Sequence, residues 1–236
     1  MQPSYSVVWF KRDLRIADHL PLVQALERGP VLCLYIVEPS LWAAPDAARQ
    51  HFDFVLESLR DLYRALRKIG GQLQLVTGEV TEVLARLHRQ APFGDLYSHE
   101  ETGNGLTFQR DLAVARWCRA NDVIWHESPQ FGVVRRLQAR DHWQRLWDEF
   151  MAQGQLVAPE IVRCVSLPWN EAPPPSAEML GLREPEVPSR QLGGRQAGLQ
   201  ILRDFLVDRS NQYRGGISSP LSAPTACSRL SPYLAL

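Results

Sequence analysis

Between about residues 4 and 126, short runs of β-branched and aromatic residues alternate with longer stretches in which apolar positions recur every three or four residues. The short runs are YSVVWF (5–10), VLCLYIV (31–37), LQLVTG (73–78), DLYSH (95–99) and VIWHE (123–127). Their unbroken apolar character predicts strands covered on both faces, as in a parallel sheet. Between the second and third runs, HFDFVLESLRDLYRALRKIG sets Phe52, Val55, Leu56, Leu59, Leu62, Leu66 and Ile69 at helical spacing, and Gly70-Gly71 marks the C-terminal cap. TEVLARLHRQ and LTFQRDLAVARWCRAN predict the next two crossover helices. The series is βα throughout, so the expected fold class is α/β: an open, doubly wound, five-stranded parallel sheet that binds ligands beyond the C-terminal ends of its strands.

After residue 130 the rhythm changes. LQARDHWQRLWDEFM predicts a helix with Trp143, Leu146, Trp147 and Phe150 on one stripe, read as core. Residues 170–195 are rich in proline, serine and glycine, which predicts a linker rather than a packed element. A last helix over roughly 195–210 carries Leu199, Leu202, Phe205 and Leu206 on a face that needs a partner, and a loop follows it. Ser231-Pro232 then has the form of an N-cap and a first-turn proline. The chain accordingly divides into an α/β domain (1–130), a helical extension (131–169), a linker (170–195) and a final helical region (196–236).

Composition narrows what this scaffold does. With 236 residues, 45% of them hydrophobic, the chain can bury a sizeable core. Lys+Arg 26 balances Asp+Glu 26, so no global field draws it to nucleic acid or an anionic membrane. Cys33, Cys118, Cys164 and Cys227 form no CxxC pair, which argues against a zinc site and a disulfide framework and for buried thiols in a reducing compartment. The N-terminal apolar run is too short for a signal segment or a membrane span, so the expected location is cytoplasmic.

No GxGxxG, GxxxxGK[ST] or GxSxG occurs, and the six histidines show no metal-ligand spacing; His51 and His88 are expected on exposed helix faces. Candidate chemistry lies at the predicted ligand edge. In KRDLRIADHLPL, Lys11, Arg12 and Arg15 alternate with Asp13 and Asp18, which suits either an anion or aromatic cofactor, or an Arg-Asp ion-pair cluster that fixes the loop. In SHEETGNG, Glu100 and Glu101 face the same crevice as Arg12, or else stand at a helix N-terminus favoured by its dipole. Near the end, Ser228, Arg229 and Ser231 supply hydroxyls and a cation for a phosphate, with Tyr213 upstream, unless Ser231 is only a cap.

Together these stretches resemble the photolyase/cryptochrome flavoprotein family. VVWFKRDLRIADHLPLVQAL is similar to its W-F-[RK]-x-D-L-R-x-x-D-N-x-x-L opening, LYIVEP and YSHEETGNGLTFQRD continue the likeness, and NQYRGG and CSRLSPYLAL resemble its Tyr and T-S-x-L-S-P-x-L segments. The resemblance implies a Rossmann-like N-terminal domain holding an antenna chromophore (folate, deazaflavin or another flavin), joined to an all-helical domain that holds FAD. Carried over, Tyr213, Cys227, Ser228, Arg229, Leu230 and Ser231 are the FAD residues, and Arg12, Glu100 and Glu101 the antenna candidates. Cys227 replaces the usual Thr, and His19 stands where the family has Asn. The implied activity is light-driven repair of pyrimidine dimers in DNA by electron transfer from reduced FAD, with cryptochrome-type signalling or a stand-alone chromophore-binding module as alternatives. The rest of the helical domain is expected to follow Leu236, so residues 213–236 are expected to be poorly ordered or held by a neighbouring molecule, and the chain alone inactive. No metal, no membrane and a monomer are expected.

Overall fold

The computed structural model describes residues 5–130, 132–165, 167 and 173–234. β1 (Ser6–Phe10), β2 (Val31–Val37), β3 (Leu73–Thr77), β4 (Asp95–His99) and β5 (Ile124–Ser128) form one sheet in the order β3-β2-β1-β4-β5, every pair parallel. Each predicted strand is present to within a residue. β1 and β2 are buried along their whole length, which is why they read as unbroken apolar runs. β5 is an edge, and Ile124 on it is exposed.

Alternation along the strands splits the interior into two cores. Val8 and Phe10 face α1 (Leu20–Arg28) and α3 (Arg49–Lys68) with Leu22, Phe52, Leu62 and Leu66, while α2 (Pro39–Trp42) adds Trp42 at the edge. Val7 and Trp9 face α4 (Val80–Gln90) and α5 (Gly105–Ala120) with Leu84, Leu87 and Val114. α3 ends as its glycines predict: Gly70 takes φ 80°, its N–H donates to Arg67 O, and Gly71 N–H donates to Leu66 O at 2.8 Å. His51 is exposed as expected. His88 is not; its ring packs edge-on against Phe93 and Trp117 because α4 and α5 meet there.

Three expectations beyond residue 130 are corrected. α6 (Trp143–Met151) buries none of its residues; Trp147 covers Gly132, but Trp143 is exposed, so the aromatic stripe is a half-covered surface. The proline-rich segment is packed where described: Ala177, Leu180 and Leu182 join the first core, and Arg190 bonds Glu57 of α3 through both terminal nitrogens (2.9 and 2.7 Å). Residues 170–172 of it lie outside the described residues. Finally, residues 213–234 have a support within the chain. α7 (Arg195–Val207) is followed by α8 (Tyr213–Gly216) and α9 (Ala223–Ala226), which pack on each other, and by α10 (Ser231–Leu234), which is tied to α7 and α3 through Tyr233, whose ring packs on Phe54 of α3 (5.2 Å) and over Gly198, and whose hydroxyl donates to Leu192 O at 2.7 Å. A four-residue helix has no stability of its own, and an aromatic anchor on α3 supplies it. Ala235 and Leu236 lie outside the described residues.

The seam between the proline-rich segment and α3 depends on close backbone approach. Gly193 N–H donates to Glu57 Oε2 at 2.6 Å, and a Cβ at Gly193 would run into the Phe54 carbonyl oxygen. Gly193→Ala should therefore cost about 1–3 kcal/mol, as overpacking does; a urea midpoint unchanged from the parent would show that this seam is not closed in solution.

Candidate functional site

The strand order reverses direction between β1 and β4, so the loops after these strands part and leave a crevice at the C-terminal edge. Lys11 to Arg15 come from one side, and His99 to Asn104 from the other. Asn104 caps α5 by accepting the Leu106 and Thr107 N–H groups, so the helix start is satisfied without either glutamate.

A cleft of about 820 Å³ opens above β1 and β2, bounded by α2, α3, α5, residues 187–191, and Arg229 and Pro232. Its floor is Trp9, 1% exposed, with the Arg110 guanidinium 4.9 Å and the Lys11 ammonium 4.8 Å from the ring centroid. Arg110 is fixed on three carboxylates: Glu38 (3.1 Å), Glu101 (3.2 Å) and Asp111 (3.0 Å). Lys11 Nζ reaches Asp111 at 3.4 Å. Burial pushes the Glu38 carboxyl up to about 7 against the pull of Arg110, and burial lowers the Lys11 amine against the pull of Asp111. The result is an apolar slot with aromatic walls and a few fixed polar groups, a shape that takes a flat heteroaromatic ligand.

The candidates separate within this frame. Arg12 and Glu101 do meet (3.7 Å) and line the cleft, with the Arg12 side chain about half exposed and available to a ligand. Glu100 turns away toward Arg135 (3.7 Å), in a smaller polar recess of about 260 Å³. Arg229 lines the same cleft as Arg12, which sequence separation did not suggest; its Nε meets Gln191 Oε1 at 3.3 Å and its carbonyl accepts Gln191 Nε2–H at 2.6 Å. Tyr213 is 40% exposed, edge-on to Phe205, and the Cys227 carbonyl accepts from Arg209 at 2.8 Å. Ser228 and Leu230 are half-buried and Ser231 is exposed. Among the described residues no hydrogen bond engages the Ser228 or Ser231 hydroxyl, and of residues 227–232 only Arg229 and Pro232 line the cleft.

The first-loop aspartates do not form the Arg-Asp cluster offered as one reading. Asp13 is fully buried, accepting the Lys11 N–H (2.7 Å) and holding His99 Nδ1 (2.6 Å) and His19 Nε2 (2.8 Å, an ionic contact off the hydrogen-bond line). Asp18 takes φ 52° and accepts the Leu156 N–H. Burial alone would raise the Asp13 carboxyl, but the two imidazoles outweigh it and hold it well below the usual carboxylate range; burial lowers His99 despite Asp13. Their ligand atoms lie within 4.8 Å of one another. Even so, His19 Nδ1 accepts the Leu22 N–H as the cap of α1, so a neutral ring carries its proton on Nε2, where a metal would need a lone pair. The 2.6 and 2.8 Å separations are also shorter than the roughly 3.3 Å between ligands of a tetrahedral ion, so the trio is a buried brace in which Asp13 bonds His99 and abuts His19. His19 thus does for α1 what an asparagine cap would do. Only the fold could show this, because His19 and His99 belong to different strand loops.

Residues 6–140 match the family model described as DNA photolyase. The chain is 27% identical over 262 aligned residues to cryptochrome DASH of Synechocystis, covering 99% of this chain and 52% of that protein. It is 30% identical over 249 residues to a deoxyribodipyrimidine photo-lyase of Thermus thermophilus, covering 98% and 51%. In fold it is similar to the class III photolyase of Agrobacterium tumefaciens (TM-score 0.78, 23% identity, 99% of this chain and 50% of that one). It is also similar to the photolyase of Sulfolobus tokodaii described with two FAD molecules (TM-score 0.71, 23% identity, covering 98% and 51%). The chain spans about half the length of the curated relatives it matches along its whole extent. Among the described residues, no helix is long and apolar enough to cross a membrane.

Proposed function

Because the chain belongs to the DNA photolyase family, we propose that its α/β part (1–130) holds a light-absorbing antenna ligand in the cleft above Trp9. Residues 131–169 are then a helical extension, 170–195 a connecting segment packed on α3 where described, and 196–236 the beginning of a helical FAD-binding domain in which Tyr213 and Cys227 to Ser231 contact FAD. A polypeptide of the relatives' full length repairs pyrimidine dimers in DNA under blue light, as a cytoplasmic monomer that needs no metal. The observation that carries this reading is the cleft itself, in which Arg12, Glu101 and Arg229 converge on one aromatic slot.

When bound, the antenna ligand supplies absorbed light and reduced FAD the transferable electron. The residues of this chain bind and orient. Trp9 closes the floor beneath Lys11 and Arg110, Arg110 is immobilised by its carboxylates so that the slot keeps its polarity, and the half-exposed Arg12 can turn from Glu101 toward an acidic substituent. The Sulfolobus tokodaii neighbour, described with two FAD molecules and a light-harvesting cofactor, supports flavin as the first probe. Similarity to cryptochromes, such as chicken Cryptochrome-2 at 39% identity over 123 residues, keeps blue-light signalling as a second reading.

Titration of the purified chain with FMN, FAD and a reduced folate should give micromolar binding of one of them, seen as fluorescence anisotropy and a thermal shift. Trp9→Ala should weaken it at least tenfold. The chain alone should not repair thymine-dimer DNA in blue light, and an extension to the relatives' length should. No uptake of any chromophore would sink the antenna reading, and an extended, flavin-loaded protein without repair would favour signalling.

A further inference from the structure

Cys33 lies in β2 and is fully buried, and Cys164 lies half-exposed on the segment after α6. That segment runs beside β2 at the point where β3 has not yet begun. Val31 N–H donates to Arg163 O (2.8 Å), Val165 N–H donates to Val31 O (3.0 Å), and Val31 and Cys164 are parallel bridge partners. Bridge partners share a face of a sheet, and so do residues two apart on one strand, which makes Cys33 and Cys164 diagonal neighbours on the same face. Both side chains turn into the first core, where Cys164 Sγ accepts the Gln72 N–H at 3.2 Å and donates to the Gln72 carbonyl oxygen at 3.6 Å. We propose that Cys33 and Cys164 form a reversible intramolecular disulfide when the protein meets a hydroperoxide, tying residues 162–165 to the central sheet.

The two sulfurs have unequal roles. The neighbouring Cys33 thiol, with the Gln72 donor, brings the Cys164 thiol down to about 7 against its burial, whereas the Cys164 thiol beside it and full burial push Cys33 well above the usual thiol value. Cys164, the accessible one, is the nucleophile, and Cys33 resolves. Cys164 Sγ attacks a peroxide oxygen, the O–O bond breaks, two electrons pass from sulfur to the peroxide, and one water or alcohol leaves as the sulfenic acid forms. Cys33 Sγ then attacks Cys164 Sγ; the S–S bond forms, the S–O bond breaks, and the Cys33 proton leaves with the hydroxide as water. Cys33 stands two residues along β2 from the bridge partner of Cys164, farther than the directly paired position, while a relaxed disulfide spans only roughly 4.4–6.8 Å between Cα atoms. The segment must shift toward β2 to close the bond, and such a bond is readily reduced, which marks a responsive link rather than a permanent staple.

The experiment needs no variant to decide it. The reduced chain is treated with a small excess of hydrogen peroxide, alkylated, digested and mapped without reductant. The expected result is a Cys33–Cys164 linked peptide that dithiothreitol abolishes, with Cys118 and Cys227 still alkylated and the Tm raised. In Cys33→Ser the Cys164 sulfenic acid should persist and be trapped by dimedone. Alkylation of all four cysteines after peroxide would overturn the proposal, as would Cys164 oxidised beyond the sulfenic acid or linked to a second chain while Cys33 stays free.

Discussion

Asp13→Ala should destabilise the chain by about 2–6 kcal/mol, because two buried donors lose their acceptor at about 1–3 kcal/mol each. The carboxylate is fully buried, accepts from the Lys11 N–H and from His99 at the end of β4, and sits against His19 at the start of α1. Without it the Lys11 N–H and His99 Nδ1 stay buried with no partner, and the loops on either side of the crevice lose their common anchor. Urea unfolding at pH 7.5 measures the loss; a change below about 1 kcal/mol would mean that water replaces the carboxylate and that the brace is dispensable. The brace also has a pH signature. His99 is depressed in the folded chain, so the unfolded chain takes up its proton first. The stability it contributes is present above the unfolded histidine value of about 6.5 and is lost as pH falls below it. Asp13, also depressed, adds a loss of the same sign below about 4.

Glu38→Gln should act in the opposite pH direction. The Glu38 carboxyl is raised to about 7 in the folded chain because burial opposes its charge more than Arg110 favours it. A group raised on folding contributes stability below its unfolded value, and that stability is lost as pH rises through the folded value. From about 4.5 to about 7 the loss is roughly 3 kcal/mol. Glutamine stays neutral and still offers Arg110 an acceptor, so the variant should match the parent near pH 5 and exceed it above pH 8. The quantity to follow is the parent-minus-variant difference in urea midpoint across that range; a flat difference would show that Glu38 is ionised throughout. Because Glu38 lines the cleft, the same range should also modulate ligand binding there, and Glu38→Gln should remove the modulation.

Much of the fold was legible along the chain. The five apolar runs fell where strands form, since a strand covered on both faces has no polar side to interrupt it, and α3 could be read to its last turn, Schellman glycine included. The site was legible only in part. Arg12 with Glu101 followed from motifs in order, but the presence of Arg229 beside them did not, and nothing in the sequence singled out Glu38, Arg110 and Trp9 as the residues that shape the cleft. The proline-rich segment misled because composition reports intrinsic flexibility, while Gly193 and Arg190 report a fit to α3 that only the partner surface reveals.

By itself the sequence determined the periodicities, and with them the strands, the crossover helices and the parallel sheet, because these depend on neighbours a few positions away. It also carried the family's ordered motifs. Tertiary structure decided which polar groups find which. Asp13 is met by two histidines from different loops, Arg110 by three carboxylates, and β2 beside Cys33 by a strand segment from beyond α6. The reason is that a buried polar group must find its partner in space, and the strand order β3-β2-β1-β4-β5 sets which loops are neighbours where the sheet opens.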